Sequence, residues 1–201
     1  MDPRRLRGCG GTYLPGGESA LLRPGGALGG SAPHRLLQRD RTGPLVRIHI
    51  VCVGRLKRDD LALCAADYLE RINRYHPCSV TEIREEKFRG GRAKAEVLER
   101  EGRRLLAHVD ARDYCVVLTE RGRRFSSVEF ARFVEEKLLR SGKKIAFVVG
   151  GAEGVSPGVH ARADVELSLS PMTFPHRLAR LVLLEQIYRA FTIIRNEPYH
   201  K

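Results

Sequence analysis

The chain has 201 residues, of which 42% are hydrophobic and 30% are charged, a composition typical of one globular domain of about 150 residues with an appendage. No apolar run approaches the roughly 18 residues that a membrane-spanning helix needs, so we predict no membrane partner. Lys and Arg outnumber Asp and Glu by 36 to 24, and the net charge of +12 favours a polyanionic partner, nucleic acid first. The alternative, that the charge only aids solubility, stays open at this point.

The cysteines show neither paired spacing nor a Cys-x-x-Cys motif. An odd number of cysteines without a secretory signal is typical of a reducing compartment, and free cysteines in apolar segments behave as small hydrophobic residues. The sequence therefore indicates a cytoplasmic protein and argues against a zinc site, and no cluster of His, Cys and Asp suggests another metal. The five are Cys9, Cys52, Cys64, Cys78 and Cys115.

Residues 1–45 differ in kind from the rest. They are rich in Gly, Pro and Arg and have no apolar periodicity, so we expect a disordered extension outside the fold. The extension carries +4, which leaves +8 of the total of +12 for residues 46–201. Two interpretations compete: an organellar transit peptide, which would make the protein organellar, or a misassigned start with translation beginning near Val46. We favour the misassigned start.

From Val46 onward, strands and helices alternate, which predicts an α/β fold with a mostly parallel sheet of five to six strands and helices on both faces. Ser126 or Ser127 begins the third helix, with Glu129 placed for a capping box. Strands are predicted over Val46–Val53, Ser79–Arg84, Tyr114–Thr119, Lys144–Val149 and Val165–Leu169, and helices over Asp60–Tyr75, 93–109, 126–140 and Pro175–Arg195.

Three strand ends carry residues suited to a ligand, which in such sheets binds at the carboxyl ends of the strands. Gly150 and Gly151 directly follow an apolar strand, so the backbone there can approach a ligand closely, although a plain tight turn is an equally open interpretation. The second strand end is the segment 118–122. The third is the loop 169–174, which offers hydroxyl and apolar groups. Together they suit a neutral heteroaromatic group such as adenine better than a triphosphate.

The last predicted helix is apolar over too broad an arc for a single contact. We therefore expect one part of this apolar surface to pack against the sheet of its own chain and another part to pack against a second subunit. Tyr199 and His200 follow at the chain end, where residues usually fray, so the pattern indicates a site shared between subunits. His176 or His200 alone would more often be structural than catalytic. The helix also carries a basic face, ordinarily just solvated, formed by Arg177, Arg180, Arg189 and Arg195.

The segments GGAEGVSP and LSLSPMTFPHRLARLVLLEQIYRAFTIIRNEPYHK resemble a family of small bacterial SPOUT-class methyltransferases that modify a pseudouridine in 23S ribosomal RNA. VRIHIVCVGRLK resembles the first strand of that family. The resemblance covers Val46–Lys201. It implies a SPOUT domain with a deep trefoil knot in its C-terminal part, a homodimer without a metal, and S-adenosylmethionine bound in the knot. It also implies methylation of N3 of the pseudouridine in the large subunit or the 70S ribosome.

Carried over by motif, the resemblance implies cofactor contacts at Leu118, at Gly150 with its neighbour Gly151, and along the loop of Leu169, Ser170, Pro171, Met172, Thr173 and Phe174. Pro171 has no backbone donor, so only its carbonyl or its ring can contact the cofactor.

The same resemblance implies that His176, Arg189, Tyr199 and His200 lie near the transferred methyl group and the target base. We expect His200 to act as a base or to orient one, Tyr199 to stack on or hydrogen-bond to the base, and Arg189 to stabilise a phosphate or an enolate. Two alternatives stay open: a methyltransferase of this class that acts on another RNA such as tRNA, and an RNA-binding protein of this fold without catalysis.

Overall fold

A computed structural model of the protein describes residues 48–56, 59–86 and 94–200. The expected disorder over residues 1–45 and the predicted beginning of the first strand at Val46 lie outside these ranges, as does the final Lys201. Within the described ranges, no helix is both long enough and apolar enough to cross a membrane.

Five strands and five α-helices alternate along the described part of the chain. The strands are β1 Ile48–Val53, β2 Cys78–Ile83, β3 Tyr114–Arg124, β4 Ile145–Val149 and β5 Val165–Ser168. The helices are α1 Asp60–Tyr75, α2 Lys94–Leu106, α3 Ser127–Val134, α4 Pro157–Arg162 and α5 His176–Ile194, and a π-helical segment, Glu135–Arg140, continues α3.

The strands form one sheet in the order β2-β1-β4-β3-β5, and every neighbouring pair is parallel. All five residues of the inner strand β4 are buried, as expected for a parallel strand covered on both faces. The predicted parallel α/β sheet is therefore confirmed, with five strands in the described residues.

Two apolar cores lie on the two faces of the sheet. Successive residues of β1 point to opposite faces, so Ile50 joins the core beneath α1, α3 and α5, while Val51 joins the core beneath α2 and α4. Leu105 of α2 and Val159 of α4 complete the second core. Helices thus cover both faces, as the alternation of elements predicts.

Capping explains where α3 begins. The backbone N–H of Ser126 donates to Glu129 Oε2 at 2.7 Å, and the Glu129 N–H donates to Ser126 Oγ at 3.3 Å, so Ser126 is the cap and the capping box is present. The predicted single helix to Arg140 differs in its last six residues, which are π-helical.

One predicted strand end is wrong. β3 does not end at Thr119 but continues to Arg124, because Leu167 of β5 pairs with Leu118 and again with Arg123. The backbone of Gly122 packs directly on β5, where a Cβ would lie only 2.6 Å from the carbonyl carbon of Glu166. The segment 118–122 is therefore held against β5 instead of forming a free loop.

The sequence analysis does not predict α4, although a signal for it is present. Ser156 precedes Pro157, and its Oγ accepts from the N–H of Val159 at 3.4 Å. Ser at the cap followed by Pro in the first turn is a typical helix start.

Of the four cysteines in the described residues, Cys64 is exposed, and three are buried in the sheet: Cys52, Cys78 and Cys115. Burial raises the pKa of the first two thiols to about 12 and that of Cys115 to about 11, so all three are protonated at neutral pH. They contribute to the core as small hydrophobic residues, as predicted.

Candidate active site

The carboxyl ends of β3, β4 and β5 bring the predicted cofactor residues together. Leu118 pairs with Val149 on one side and with Leu167 on the other, so these three residues lie in one row across the sheet. Gly150 comes one residue after that row, and Leu169 comes two residues after it. Residues far apart in sequence thus converge at one edge of the sheet.

The turn after β4 is compact. A Cβ on Gly150 would lie 2.5 Å from the carbonyl oxygen of Gly154, and the Gly154 N–H donates to the Gly151 carbonyl at 3.2 Å. Gly154 has a φ of +91°, a conformation that favours glycine. Close packing within the turn is therefore sufficient to require glycine at position 150, whether or not a ligand approaches it.

Helix α2 places a buried carboxyl group beside this turn, which the sequence analysis missed. Glu101 is only 4% exposed, and its Oε1 accepts from the backbone N–H of Glu86, after β2, at 2.8 Å. A Cβ on Gly151 would lie 2.9 Å from Glu101 Oε2. Burial raises the pKa of this carboxyl group, and the nearby carboxylates of Glu85 and Glu86 raise it further. The sequence does contain a signal that Glu101 is buried: its spacing places it on one apolar helix face with Val97 and Leu105.

The loop after β5 is held in shape by its own side chains. Ser168 Oγ donates to the Ser170 carbonyl at 2.9 Å, and Ser170 Oγ accepts from the Met172 N–H at 3.0 Å. Thr173 Oγ1 donates to Glu120 Oε1 at 2.9 Å, which joins the loop to β3. The loop is therefore anchored at both of its hydroxyl residues.

Three loop side chains point outward. Pro171, Met172 and Thr173 are exposed, and Met172 keeps 74% of its surface accessible, an unusual position for a large apolar residue. Leu169 and Phe174 are half-buried. The loop thus presents apolar and neutral polar groups together, as the sequence predicts.

His176 lies at the same edge of the sheet, at the beginning of α5. A Cβ on Gly54, which directly follows β1, would lie 3.0 Å from His176 Nε2. Burial lowers the pKa of His176. The charge of Glu85 opposes this shift, while those of Arg180 and Arg177 add to it, and the imidazole is mainly neutral at pH 7.

Arg180 fastens α5 to this edge. Its side chain is 1% exposed and donates to Glu82 Oε1 at 2.5 Å and to the Gly54 carbonyl at 2.7 Å. The predicted solvation of the basic face is therefore wrong at Arg180, because the carboxyl end of β1 supplies carbonyl partners. Nearby Arg177 pairs with Asp59.

The other three predicted catalytic residues form a cluster at the far end of α5. Arg189 donates from Nε and Nη2 to Glu185 Oε1 at 2.9 and 2.6 Å, and its Nη1 lies 3.4 Å from His200 Nδ1. The guanidinium lies 4.7 Å from the ring centroid of Tyr199. Tyr199 packs edge-on against Tyr188 with ring centroids 4.8 Å apart. We call Arg189, Tyr199 and His200 the tail cluster.

Charge and burial set the protonation states of the tail cluster. The hydrogen bonds to Glu185 raise the pKa of Arg189, which therefore stays cationic. Burial and the contact with the Tyr68 hydroxyl, 3.3 Å away, raise the pKa of Tyr199, so this phenol is neutral. The tail cluster therefore combines the cation of Arg189, the neutral phenol of Tyr199 and the imidazole of His200.

Within one chain, the tail cluster and the cofactor loop are far apart. Arg189 comes thirteen residues after His176 on α5, which at 1.5 Å per residue separates them by about 20 Å along the helix axis. The structure thus brings the predicted cofactor residues and His176 together at one end of α5 and the tail cluster together at the other.

A cavity of about 600 Å³ lies between α1, α5 and the carboxyl ends of β1 and β2. Its lining is mainly apolar, from Ala62, Ala65 and Leu69 of α1, with Arg180 and Glu82 as charged groups. None of the predicted cofactor residues lines it. Among the described residues, no group of three or more His, Cys, Asp or Glu side chains is placed to hold a metal ion.

Comparison with known proteins supplies the family. Residues 46–200 match the family described as predicted SPOUT methyltransferase. A protein of Syntrophotalea carbinolica named ribosomal RNA large subunit methyltransferase H is 46% identical over 156 residues, which are 77% of this chain and 99% of that protein. Proteins with the same name from Carboxydothermus hydrogenoformans and Symbiobacterium thermophilum are 44% and 43% identical, each over 78% of this chain and all of the relative.

A solved structure titled probable rRNA-methyltransferase from Porphyromonas gingivalis aligns with a TM-score of 0.44 and 16% identity, over 76% of this chain and 71% of that one. The family match and the relatives each span about three quarters of the chain, and on that ground the chain belongs to the SPOUT methyltransferase family.

Proposed function

We propose that the protein transfers a methyl group from S-adenosylmethionine to N3 of a pseudouridine in 23S ribosomal RNA of the assembled ribosome. The observation that supports this most strongly is the convergence of Leu118, Gly150 and the loop 169–174 at one sheet edge, in a chain 46% identical to a protein named as a ribosomal RNA methyltransferase. Carboxyl ends of neighbouring parallel strands are where α/β proteins bind nucleotides.

The residues at this edge fit such a cofactor. The loop offers backbone groups, the hydroxyls of Ser170 and Thr173 and the exposed apolar side chain of Met172, a combination that suits an adenosyl group. Gly150 keeps the turn after β4 compact at this edge. When bound, the cofactor supplies an electrophilic methyl group on a sulfonium.

We propose further that the active site is shared between two copies of the chain in a homodimer. The tail cluster lies about 20 Å along α5 from the cofactor loop of its own chain, too far to act there. Leu63 on α1 is 70% exposed, and the α1–α5 surface carries the mainly apolar cavity. A second copy on this surface would bury it and bring its own tail to the loop.

The tail cluster suits the proton transfer that this reaction needs. The N3–H of the base loses its proton, the new bond forms between N3 and the methyl carbon, and the bond from sulfur to that carbon breaks. We assign His200 the removal or relay of the proton, Arg189 the stabilisation of the resulting anion, and Tyr199 the packing and hydrogen bonding of the base. Neutral His176 lies beside the cofactor loop, near the methyl group.

The knot that the family resemblance implies is also a proposal. β5 lies at the edge of the sheet beside β3, yet α5 returns across the sheet so that Arg180 reaches the end of β1. Leu167 pairs with both Leu118 and Arg123, so the segment between these two residues wraps closely on β5. Both features support a C-terminal segment that passes through an earlier loop.

We keep the expectation that residues 46–201 form the working domain and that residues 1–45 are an extension outside it. The family match begins at residue 46, which supports this boundary. With ribosomal RNA as substrate, the protein would act in the cytoplasm, or in an organelle if the extension is a transit peptide.

One experiment tests the function. The purified protein is incubated with labelled S-adenosylmethionine and with 70S ribosomes, free 50S subunits or bulk tRNA, and the modified nucleotide is mapped by mass spectrometry. We expect label on one pseudouridine of 23S RNA. Label on tRNA would mean that tRNA is the substrate. If no RNA is labelled although RNA binding is intact, the protein binds RNA without catalysis.

A further inference from the structure

We propose that Arg121, Arg123 and Arg124, called here the arginine segment, bind the phosphate backbone of the RNA substrate beside the cofactor loop. The inference rests on the proposed function and adds to it the surface through which the site holds its RNA.

The side chains of the arginine segment are exposed, and in the described part of the chain none of them forms an ion pair. Helical arginines of the same protein behave differently. Arg71 and Arg74 each pair with a carboxylate four residues earlier, at 2.8 and 2.7 Å. Arg123 lies close enough to Glu129 to lower the pKa of that carboxyl group, whereas no described carboxylate forms an ion pair with Arg121 or Arg124.

The backbone of the arginine segment is fixed. Arg123 and Arg124 pair with Leu167 and Ser168 of β5, and the guanidinium of Arg123 lies 4.5 Å from the ring centroid of Phe125. Gly122 packs on the peptide between Glu166 and Leu167. The backbone that carries Arg123 and Arg124 is therefore held in a defined place beside β5, which lowers the cost of ordering these side chains on a ligand.

The same contacts place the arginine segment at the cofactor loop. Ser168, the partner of Arg124, is followed directly by Leu169, the first loop residue. Glu120, next to Arg121, accepts from Thr173 of the loop at 2.9 Å, which joins the strand of the arginine segment to the loop. A polyanion on these arginines would pass the point where the methyl group is transferred.

RNA is the ligand that this charge pattern fits. Phosphate contacts from arginine position a nucleic acid without reading its sequence, and each one releases counterions. Arginine also binds phosphate oxygens in a bidentate way, which lysine does not. We infer phosphate contacts that hold the RNA in register, while the tail cluster acts on the base.

The test compares two double variants. Arg121→Gln/Arg124→Gln removes two exposed charges and leaves Arg123 on Phe125. Arg103→Gln/Arg112→Gln is the matched control, because both of its arginines are exposed and without an ion pair in the described chain, and Arg112 lies near the opposite, amino end of β3. Each variant is assayed for S-adenosylmethionine binding, for ribosome binding between low and high salt, and for methylation kinetics.

We expect Arg121→Gln/Arg124→Gln to lower kcat/KM on ribosomes by about tenfold or more through KM, and to reduce the slope of log binding constant against log salt by about 1.4–1.8, the value for two lost phosphate contacts. Cofactor affinity should stay within about twofold, and the control should match the wild type in every assay.

Equal effects in the two double variants would overturn the inference, as would a loss of cofactor binding in Arg121→Gln/Arg124→Gln, because the arginines would then act on the fold. Failure of the proposed function gives a different result. The wild type would then methylate no RNA, while the salt dependence of RNA binding would still separate the arginine segment from its control.

Discussion

Nη1 of Arg189 lies 3.4 Å from Nδ1 of His200, and its guanidinium covers the ring of Tyr199. The last residues of a chain usually fray, yet here the end of the chain is held by an arginine that Glu185 orients. The contact places an imidazole, a phenol and a fixed positive charge together, about 20 Å along α5 from the cofactor loop of the same chain.

Replacing His200 tests its role in proton transfer. We expect His200→Ala to reduce the methylation rate constant by about 100-fold or more, as the loss of a general base does. Cofactor binding should be unchanged, because none of the predicted cofactor contacts falls on His200. The matched control is His108→Ala, an exposed histidine that makes no side-chain hydrogen bond in the described chain. Normal single-turnover methylation by His200→Ala would refute the assignment.

Arg180 should matter to folding more than its neighbour Arg177. Arg180→Ala removes the side-chain donor of the Gly54 carbonyl and leaves Glu82 only the N–H of Leu56, so we expect the free energy of unfolding to fall by about 3 kcal/mol. Arg177 pairs with Asp59 near the surface, so Arg177→Ala should cost much less. Chemical denaturation of both variants measures the difference. Equal losses would mean that the buried contacts of Arg180 contribute little.

Glu101 should support the shape of the turn after β4, which contains Gly150 and Gly151. Glu101→Ala removes the carboxyl group that accepts from the N–H of Glu86 and opens space beside Gly151, so we expect weaker S-adenosylmethionine binding by about tenfold. Glu101→Gln keeps an acceptor oxygen and should bind the cofactor normally. Because burial raises the pKa of Glu101, ionisation costs stability as pH rises through that pKa, so Glu101→Gln should be at least as stable as the wild type at pH 7.5. Calorimetric titration and denaturation check both outcomes.

Stability should fall in mild acid, partly because of His76. Burial lowers its pKa in the folded protein, where it packs edge-on against Phe191, while the unfolded chain takes up a proton near pH 6.5. Below about pH 6.5 the unfolded state therefore binds more protons than the folded state. As the pH falls from there, the protein loses stability until the pH reaches the lowered pKa of His76 in the folded state. Denaturation curves between pH 7.5 and 5.5 should show a smaller loss in His76→Gln than in His108→Gln, and equal losses would exclude His76 as a source.

Much of the fold could be predicted from local patterns. The bounds of α1 follow from Asp59 and Pro77, because a capping side chain begins a helix and proline stops one. The continuation of β3 to Arg124 could not be predicted, because it depends on pairing with Leu167, about 45 residues away in the sequence. A charged Glu-Arg-Gly-Arg-Arg segment has no strand pattern of its own.

The candidate site divides in the same way. The meeting of Gly150 and the loop 169–174 at one sheet edge could be predicted, because the carboxyl ends of parallel strands lie together. The burial of Arg180 could not, since an arginine on a helix is ordinarily solvated and only the folded chain shows the carbonyl of Gly54 beside it. Glu101 was detectable from its spacing, yet its contact with the turn depends on how α2 packs.

The most direct test of the shared site is a mixed dimer. One chain carries His200→Ala, and the other carries Gly150→Ala, whose added Cβ would meet the Gly154 carbonyl and deform the cofactor turn. Heterodimers purified through two different tags have one intact composite site if the tail acts on the partner's cofactor loop. We predict about half of the wild-type methylation rate from this heterodimer, although both mutant homodimers are inactive. A heterodimer as inactive as its parents would contradict the account.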